Sequence, residues 1–144
     1  MEYTLDIEPV REIQLDYDLH IDIPCHSVEL SSGLLLSSRG IFRPTAQNLL
    51  LDLEGRIIYS YGGEEDDSAR QLKGPCCLAL DSADNLLVAD CYNDQLQLLD
   101  ASLQHQRDVT LSEQRLLFPN RLCLDEARGR LYIGERDCGL VVSV

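Results

Sequence analysis

Pro75-Cys-Cys-Leu-Ala-Leu-Asp-Ser-Ala-Asp-Asn-Leu-Leu-Val-Ala-Asp90 is answered downstream by Pro119-Asn-Arg-Leu-Cys-Leu-Asp-Glu-Ala-Arg-Gly-Arg-Leu-Tyr-Ile-Gly-Glu135. Each stretch reads as a proline, an apolar alternation ending in Asp, a turn, and a second apolar run. Pro24-Cys-His-Ser-Val-Glu-Leu-Ser-Ser-Gly-Leu-Leu-Leu-Ser37 is a shorter and weaker copy. The three prolines recur at intervals of roughly 40–50 residues, the period of a β-propeller blade or a related array of short strands. Such a unit buries its apolar surface only against its neighbours, so the repeat bounds the fold closely and the function loosely.

Working outward, strand signals alternate with turn signals along most of the chain. Period-two alternation marks residues 12–17 and 27–30, and continuous apolar runs mark 34–37 and 48–52. Asp52-Leu-Glu-Gly55 turns the chain into a further run at 56–61, with Gly55 taking the positive φ that hairpin turns demand. The second copy predicts strands near 76–81, 85–89 and 95–100, with a less apolar fourth run near 105–111. The third predicts 121–125, 130–134 and 139–144. Residues 111–117 offer one helical turn with Ser112 as its cap, and no amphipathic helix of useful length occurs elsewhere. The expected architecture is all-β, about three blades of a propeller. Residues 1–23 would supply strands of a preceding blade, 24–63 the first blade, 64–118 the second with an acidic lead-in loop, and 119–144 a third, incomplete blade.

At 144 residues the chain is long enough for one domain with a real core. Its 44% apolar content is too high for a disordered chain despite a net charge of −13. Twenty-five acids against twelve bases argue against nonspecific nucleic-acid binding, which rests on Lys and Arg displacing counterions. No run approaches the roughly 18 apolar residues of a membrane span. The acidic, alternating N-terminus does not read as a signal peptide, so a cytoplasmic chain is the expectation. Cys25, Cys76, Cys77, Cys91, Cys123 and Cys138 contain no Cys-x-x-Cys. Cys25 and Cys76 both follow a blade proline, and equivalent positions on neighbouring sheets stand about 10 Å apart. That exceeds the ~7 Å Cα separation a disulfide tolerates. Reduced thiols, several of them small buried hydrophobes, are expected.

Gly74-Pro-Cys-Cys-Leu-Ala-Leu-Asp-Ser-Ala-Asp-Asn-Leu-Leu-Val-Ala-Asp90, followed by Asn93-Asp-Gln-Leu-Gln-Leu-Leu-Asp100, resembles the NHL repeat. The matching positions are Pro75, Ala79, Asp81, Val88, Ala89, Asp90, Asn93 and Leu96. Residues 53–63 resemble the family's closing strand and Gly-rich junction. Residues 118–133 resemble a following blade of the propellers of tripartite-motif-like proteins. The likeness covers about residues 20–144. Departures are Gln95 at the family's Arg, Asp84 at its turn glycine, and Ser37 in the first unit where Asp90 stands in the second. Family propellers close with about six blades, so the resemblance implies a half-ring, a fragment, or a homodimer completing the ring. It also implies a non-catalytic protein-binding module, the substrate-recruiting part of a tripartite-motif-like ubiquitin ligase. RNA binding is a second implication of the family. A metal-dependent lyase or lactonase on a six-bladed propeller is a third.

Candidate chemistry is sparse. His20, His26 and His105 fall in different units, whereas catalytic zinc ordinarily needs three converging protein ligands. Glu64-Glu-Asp-Asp67 lacks the alternating spacing and glycine turn of a calcium loop. Gly-x-Ser-x-Gly and Gly-rich phosphate loops are absent. No metal, cofactor or catalytic residue is expected, and the chain is not expected to be an enzyme. Asp81, Asp90, Asp125 and Gly55 read as turn residues. Recognition usually resides on loops mounted on rigid strands, which singles out Tyr92, Asn93, Arg136 and Asp137 as rim contacts for a protein partner of unidentified kind.

Overall fold

Short apolar runs separated by Asp- or Gly-bearing turns cannot continue in one direction, and they fold back as antiparallel meanders. The computed structural model describes residues 24–39, 47–52, 54–62, 71–111, 115–136 and 139–143. The alternation at 12–17, the acidic run 64–67 and the helix cap assigned to Ser112 lie outside the described residues. The first sheet comprises β1 (Pro24–Glu29), β2 (Leu35–Arg39), β3 (Gln47–Leu51) and β4 (Ile57–Tyr61). The second comprises β5 (Pro75–Leu80), β6 (Leu86–Asp90), β7 (Gln95–Leu99) and β8 (His105–Val109). The third comprises β9 (Pro119–Asp125), β10 (Arg130–Glu135) and β11 (Leu140–Ser143). Strand order in every sheet follows the chain. The first strands β1, β5 and β9 lie side by side, so the sheets stand like adjacent blades. The fold is all-β and propeller-like, and the less apolar fourth run of the second unit is β8. Residues 115–117 are irregular rather than helical.

The tight turns share one plan. Asp52, Asp81 and Asp100 each use Oδ1 to accept backbone N–H groups two and four residues ahead, at 2.8–3.0 Å. The fourth position of each turn has positive φ: +81° at Gly33 and Gly55, +61° at Asp84 and +57° at Leu103. Asp84 thus occupies the left-handed position where the repeat pattern has glycine, at a cost of about 1–2 kcal/mol. Its carboxylate accepts both the N–H and the hydroxyl of Ser31, on the corresponding turn of the first sheet. Glu126 receives Ser82 of the second sheet in the same way, at 3.0 and 3.2 Å. One carboxylate stitch therefore joins each pair of neighbouring sheets on this side of the molecule.

The register corrects one equivalence drawn from the sequence. Each leading proline sits opposite the last residues of the second strand: Pro75 opposite Asp90, Pro119 opposite Glu135, and Pro24 opposite Arg39. The first-sheet counterpart of Asp90 is therefore Arg39, whereas Ser37 pairs with Ser27 two rungs away. The two ladders match without a gap, because the same bulge follows the proline in β1 and in β5.

The second sheet is apolar on both faces. Leu78, Leu86, Val88 and Leu99 pack against Leu36 and Tyr61 of the first sheet, with Leu72 and Leu103 completing that seam. Cys77, Ala89 and Leu96 pack against Leu131 and Ile133 of the third sheet, with Leu116 alongside. Cys25, Cys76, Cys77, Cys91 and Cys123 form no disulfide, and Cys138 lies outside the described residues.

The first seam is the more polar of the two: where the second seam has Cys77 Sγ accepting the Leu122 N–H (3.3 Å), the first uses a histidine, and it holds a buried amide and phenol besides. His26 Nδ1 accepts the backbone N–H of Leu78 across the seam (3.2 Å), and the Tyr61 hydroxyl donates to Gln97 Oε1 (2.6 Å). Asn48 is 0% exposed, and neither of its amide atoms has a hydrogen-bond partner among the described residues. Its counterpart in the second sheet, by register, is the buried Leu96. An unsatisfied buried amide costs about 1–3 kcal/mol. Asn48→Leu should raise stability by about that amount, read as an upward shift of the urea midpoint with unchanged slope. A lowered midpoint would show that the amide is satisfied.

Candidate functional site

On the side opposite the carboxylate stitches, the chain enters the second and third blades through the short lead-in segments 71–74 and 115–118 and crosses from β6 to β7 through residues 91–94. Asp90 closes β6 and is wholly buried. Its Oδ1 accepts the backbone N–H of Lys73 (3.0 Å) and Gly74 (2.8 Å), and its Oδ2 accepts the Asn93 amide. Burial pushes the Asp90 carboxyl above the ordinary carboxylate range, and these donors offset only part of that. Asp90 thus fastens the lead-in segment of its own blade. Asn93 is turned inward as well, donating to the carbonyl of Gln71 (3.2 Å). The left-handed residue of this turn is Asp94 (φ +53°).

Glu135 holds the corresponding place in the third blade and accepts the N–H of Leu117 (2.6 Å). Asp94 reaches across from the second blade to accept the N–H of Phe118 (2.8 Å), and its other oxygen lies 3.6 Å from the Arg115 guanidinium. Phe118 is held at φ +51°, where a bulky side chain is a genuine outlier. Its ring meets Tyr92 edge-on, with centroids 5.0 Å apart and planes at 84°. The Arg136 guanidinium carbon lies 5.0 Å from the same centroid, a cation–π geometry worth about 0.5–1 kcal/mol at an exposed site. Tyr92 is 42% exposed and the adjoining Leu117 is 55% exposed.

Gly74 makes the cluster fit. A Cβ there would come within 2.4 Å of the Tyr92 ring and 3.0 Å of Cys91 Sγ. Beneath it, the Cys91 thiol donates to the Gly74 carbonyl (3.1 Å), and the Cys76 thiol lies against the carbonyls of Ala89 (3.5 Å) and Pro119 (3.3 Å). A hydrogen bond to Cys91, with burial adding to it, pushes the Cys76 thiol far up.

Of the rim residues singled out by sequence, Tyr92 and Arg136 are brought together through Phe118. Asn93 supports Asp90, and Asp137 lies outside the described residues. Asp125 accepts the N–H of Arg128 (3.1 Å) and pairs with its guanidinium (2.8 Å), Gly55 takes its turn at φ +81°, and Asp81 bonds its own turn. Burial raises the Asp81 carboxyl, but donors on Asn85 and Ala83 outweigh it and hold the group below the ordinary range. Sequence reading missed Phe118, Leu117 and Arg115. The available signal was Phe118 standing before Pro119 where the other copy has Gly74 before Pro75. Among the described residues, no three His, Cys, Asp or Glu side chains converge as metal ligands.

No protein-family model and no curated protein matches the chain. Solved structures do. One is a protein of unknown function from Bacteroides caccae, 19% identical, with a TM-score of 0.62 over 79% of this chain and 38% of that one. Another is a catalytically inactive virginiamycin B lyase from Staphylococcus aureus, solved with quinupristin. It is 12% identical, with a TM-score of 0.59 over 89% of this chain and 43% of the lyase. The lyase is a β-propeller. The chain spans less than half the length of either, and at these identities the likeness is one of fold.

Gly74→Ala should destabilise by about 1–3 kcal/mol, because its methyl group and the Tyr92 ring compete for the same space. Tyr92→Ala should remove most of that cost, so a double-mutant cycle should give a coupling of at least about 1 kcal/mol. Additive effects would mean that Tyr92 does not lie over Gly74. Asp90 gives a pH signature. Its folded carboxyl titrates above the unfolded value of about 3.9, so the native state binds that proton more tightly. Its contribution is greatest below about pH 3.9 and is lost as pH rises through the folded pKa. Asp90→Asn, which keeps an oxygen acceptor, should remove that decline. The wild-type minus variant stability difference should fall with rising pH across the acid range. A difference that rises with pH would contradict the buried-acid assignment.

Proposed function

We propose that the chain is a non-catalytic binding module that engages a protein partner through the Tyr92–Phe118–Arg136 rim. The observation carrying this reading is Phe118. A bulky residue is kept in a left-handed backbone conformation by a carboxylate from the neighbouring blade, and strain of this kind concentrates at functional sites. The result is an aromatic pair capped by an arginine, beside an exposed leucine, on a rigid scaffold. Aromatic residues and Arg are the types that dominate binding energy in protein interfaces.

The Pro-x-x-x-Ala-x-Asp and Val-Ala-Asp pattern of the second blade supports an NHL-type propeller. On that reading the module would recruit substrates to a tripartite-motif-like ubiquitin ligase, a role resting on fold analogy. A second reading, single-stranded RNA, draws support from the same cluster, since bases stack on aromatic rings beside Arg. Asp90 is buried and Asp94 is bonded to Phe118, which weakens the opposition of either to an incoming phosphate. The net charge of −13 still favours the protein reading.

Affinity capture from cell extract tests the proposal. Tyr92→Ala combined with Arg136→Ala should abolish capture of the specific partner. Phe118→Gly should weaken capture at least tenfold while changing stability by less than about 1 kcal/mol, because relief of the backbone offsets the lost ring contacts. Undiminished capture by both variants would overturn the rim assignment. A filter-binding titration with single-stranded RNA at low salt arbitrates the second reading. Micromolar binding that weakens with added salt would favour RNA over protein.

A further inference from the structure

Two cysteines of the second blade meet beneath the rim. Cys76 is the residue left unpaired by the bulge in β5, between the Pro75–Asp90 and Cys77–Ala89 rungs. The bulge sets Cys76 beside Asp90 and so brings it toward Cys91, closer than a regular ladder would. One rung further on, the Cys91 N–H bonds to the Gly74 carbonyl (3.0 Å) and keeps the two strands together. The thiols are interlaced. Cys91 Sγ lies 3.1 Å from the carbonyl of Gly74, just upstream of Cys76, and Cys76 Sγ lies 3.5 Å from the carbonyl of Ala89, just upstream of Cys91. The two thiols are also hydrogen-bonded to each other. Nothing in the repeat calls for this pair. By register, the same two places in the third blade belong to Asn120 and Arg136.

The other thiols are placed differently. Cys77 Sγ accepts the N–H of Leu122 (3.3 Å) and packs against the third blade. Cys123 stands exposed on β9. Cys25 is the bulge residue of β1, on the neighbouring blade; burial raises its thiol, and the charge of Cys91 adds to the rise. Within the pair the two sulfurs are unequal. The hydrogen bond from Cys76 holds the Cys91 thiol below the ordinary range, against the burial that raises it, and Cys76 is pushed up in return. The thiolate is the attacking species in thiol oxidation, which makes Cys91 the nucleophile and Cys76 the resolving thiol. Cys91 is 3% exposed and Cys76 is half-buried, an access suited to a small oxidant.

We propose that Cys76 and Cys91 are a peroxide-reactive pair that closes to a disulfide and clamps the turn carrying Tyr92 to β5. The Cys91 thiolate attacks one oxygen of hydrogen peroxide. An S–O bond forms, the O–O bond breaks, and the departing hydroxide takes up the proton shed by Cys91 as water. The Cys76 thiol then attacks the Cys91 sulfur. The S–S bond forms, the S–O bond breaks, and the second hydroxide leaves with the Cys76 proton as water. Two thiols are thus oxidised by two electrons, and one peroxide is reduced to two waters. The pair does not depend on what the rim binds.

Peroxide treatment of the intact, reduced chain tests the pair. A small molar excess of hydrogen peroxide should remove two of the six titratable thiols, and dithiothreitol should restore them. Peptide masses after cleavage at Asp81 and Asp84 should place the bridge between Cys76 and Cys91. Cys25→Ser and Cys77→Ser should still form it, and Cys91→Ser should abolish it. Cys76→Ser should abolish it too, but should leave added oxygen on Cys91, the mark of a nucleophile without its resolving partner. The amide signals of Gly74 and Tyr92 should shift on oxidation and return on reduction. A urea-unfolded control should scatter its bridges over other cysteines, because selectivity comes from the folded bulge. The proposal is overturned by thiols that resist peroxide, by a native bridge to Cys25, Cys77 or Cys123, or by oxygen added to Cys76 or Cys91 of the unsubstituted chain without a bridge. It is equally overturned by unmoved Gly74 and Tyr92 signals, or by the same bridges in the folded and the unfolded chain.

Discussion

A twisted four-stranded sheet with leucines on both faces cannot exist alone in water, and that constraint organises this molecule. The second blade turns Leu78, Leu86, Val88 and Leu99 toward the first blade and Cys77, Ala89 and Leu96 toward the third. Each fully buried leucine contributes about 1.5–3 kcal/mol, far more than any exposed hydrogen bond in the structure. The seams hold the blades together, and the polar ties fix how the blades meet. Asp84 and Glu126 stitch one side through Ser31 and Ser82, while Asp94 stitches the other through Phe118.

The rim follows from the same constraint. Because β5 and β9 must lie side by side, the turn after β6 and the lead-in to β9 are forced into contact. The carboxylates of that corner, Asp90, Asp94 and Glu135, are all occupied with backbone N–H groups. What they present outward is Tyr92, Phe118, Leu117 and Arg136. An acidic protein thus displays aromatic and cationic groups at one corner because its acids there are committed to holding backbone.

Strand positions were legible because period-two alternation and Asp- or Gly-bearing turns are local signals. The four-strand plan of the second blade was readable even for β8, whose side chains are mostly polar. Less was legible where the decisive neighbour is remote in sequence. Asn93 has the composition of a rim contact, yet Asp90 draws it inward. Phe118 gains its meaning only from Asp94 on another blade. Asp84 reads as a missing glycine until Ser31 is placed beside it. The first-unit counterpart of Asp90 needed the ladder itself, which puts Arg39 rather than Ser37 opposite the leading proline.

Amide hydrogen exchange on the intact chain tests most directly whether the blades stand or fall by their seams. The account predicts the strongest protection in β5, β6 and β7, which are covered on both faces, with β4 and β8 exchanging first from the outer edge. Uniform protection in all three sheets, or β8 protected as well as β5, would contradict the arrangement of inner and outer strands on which the account rests.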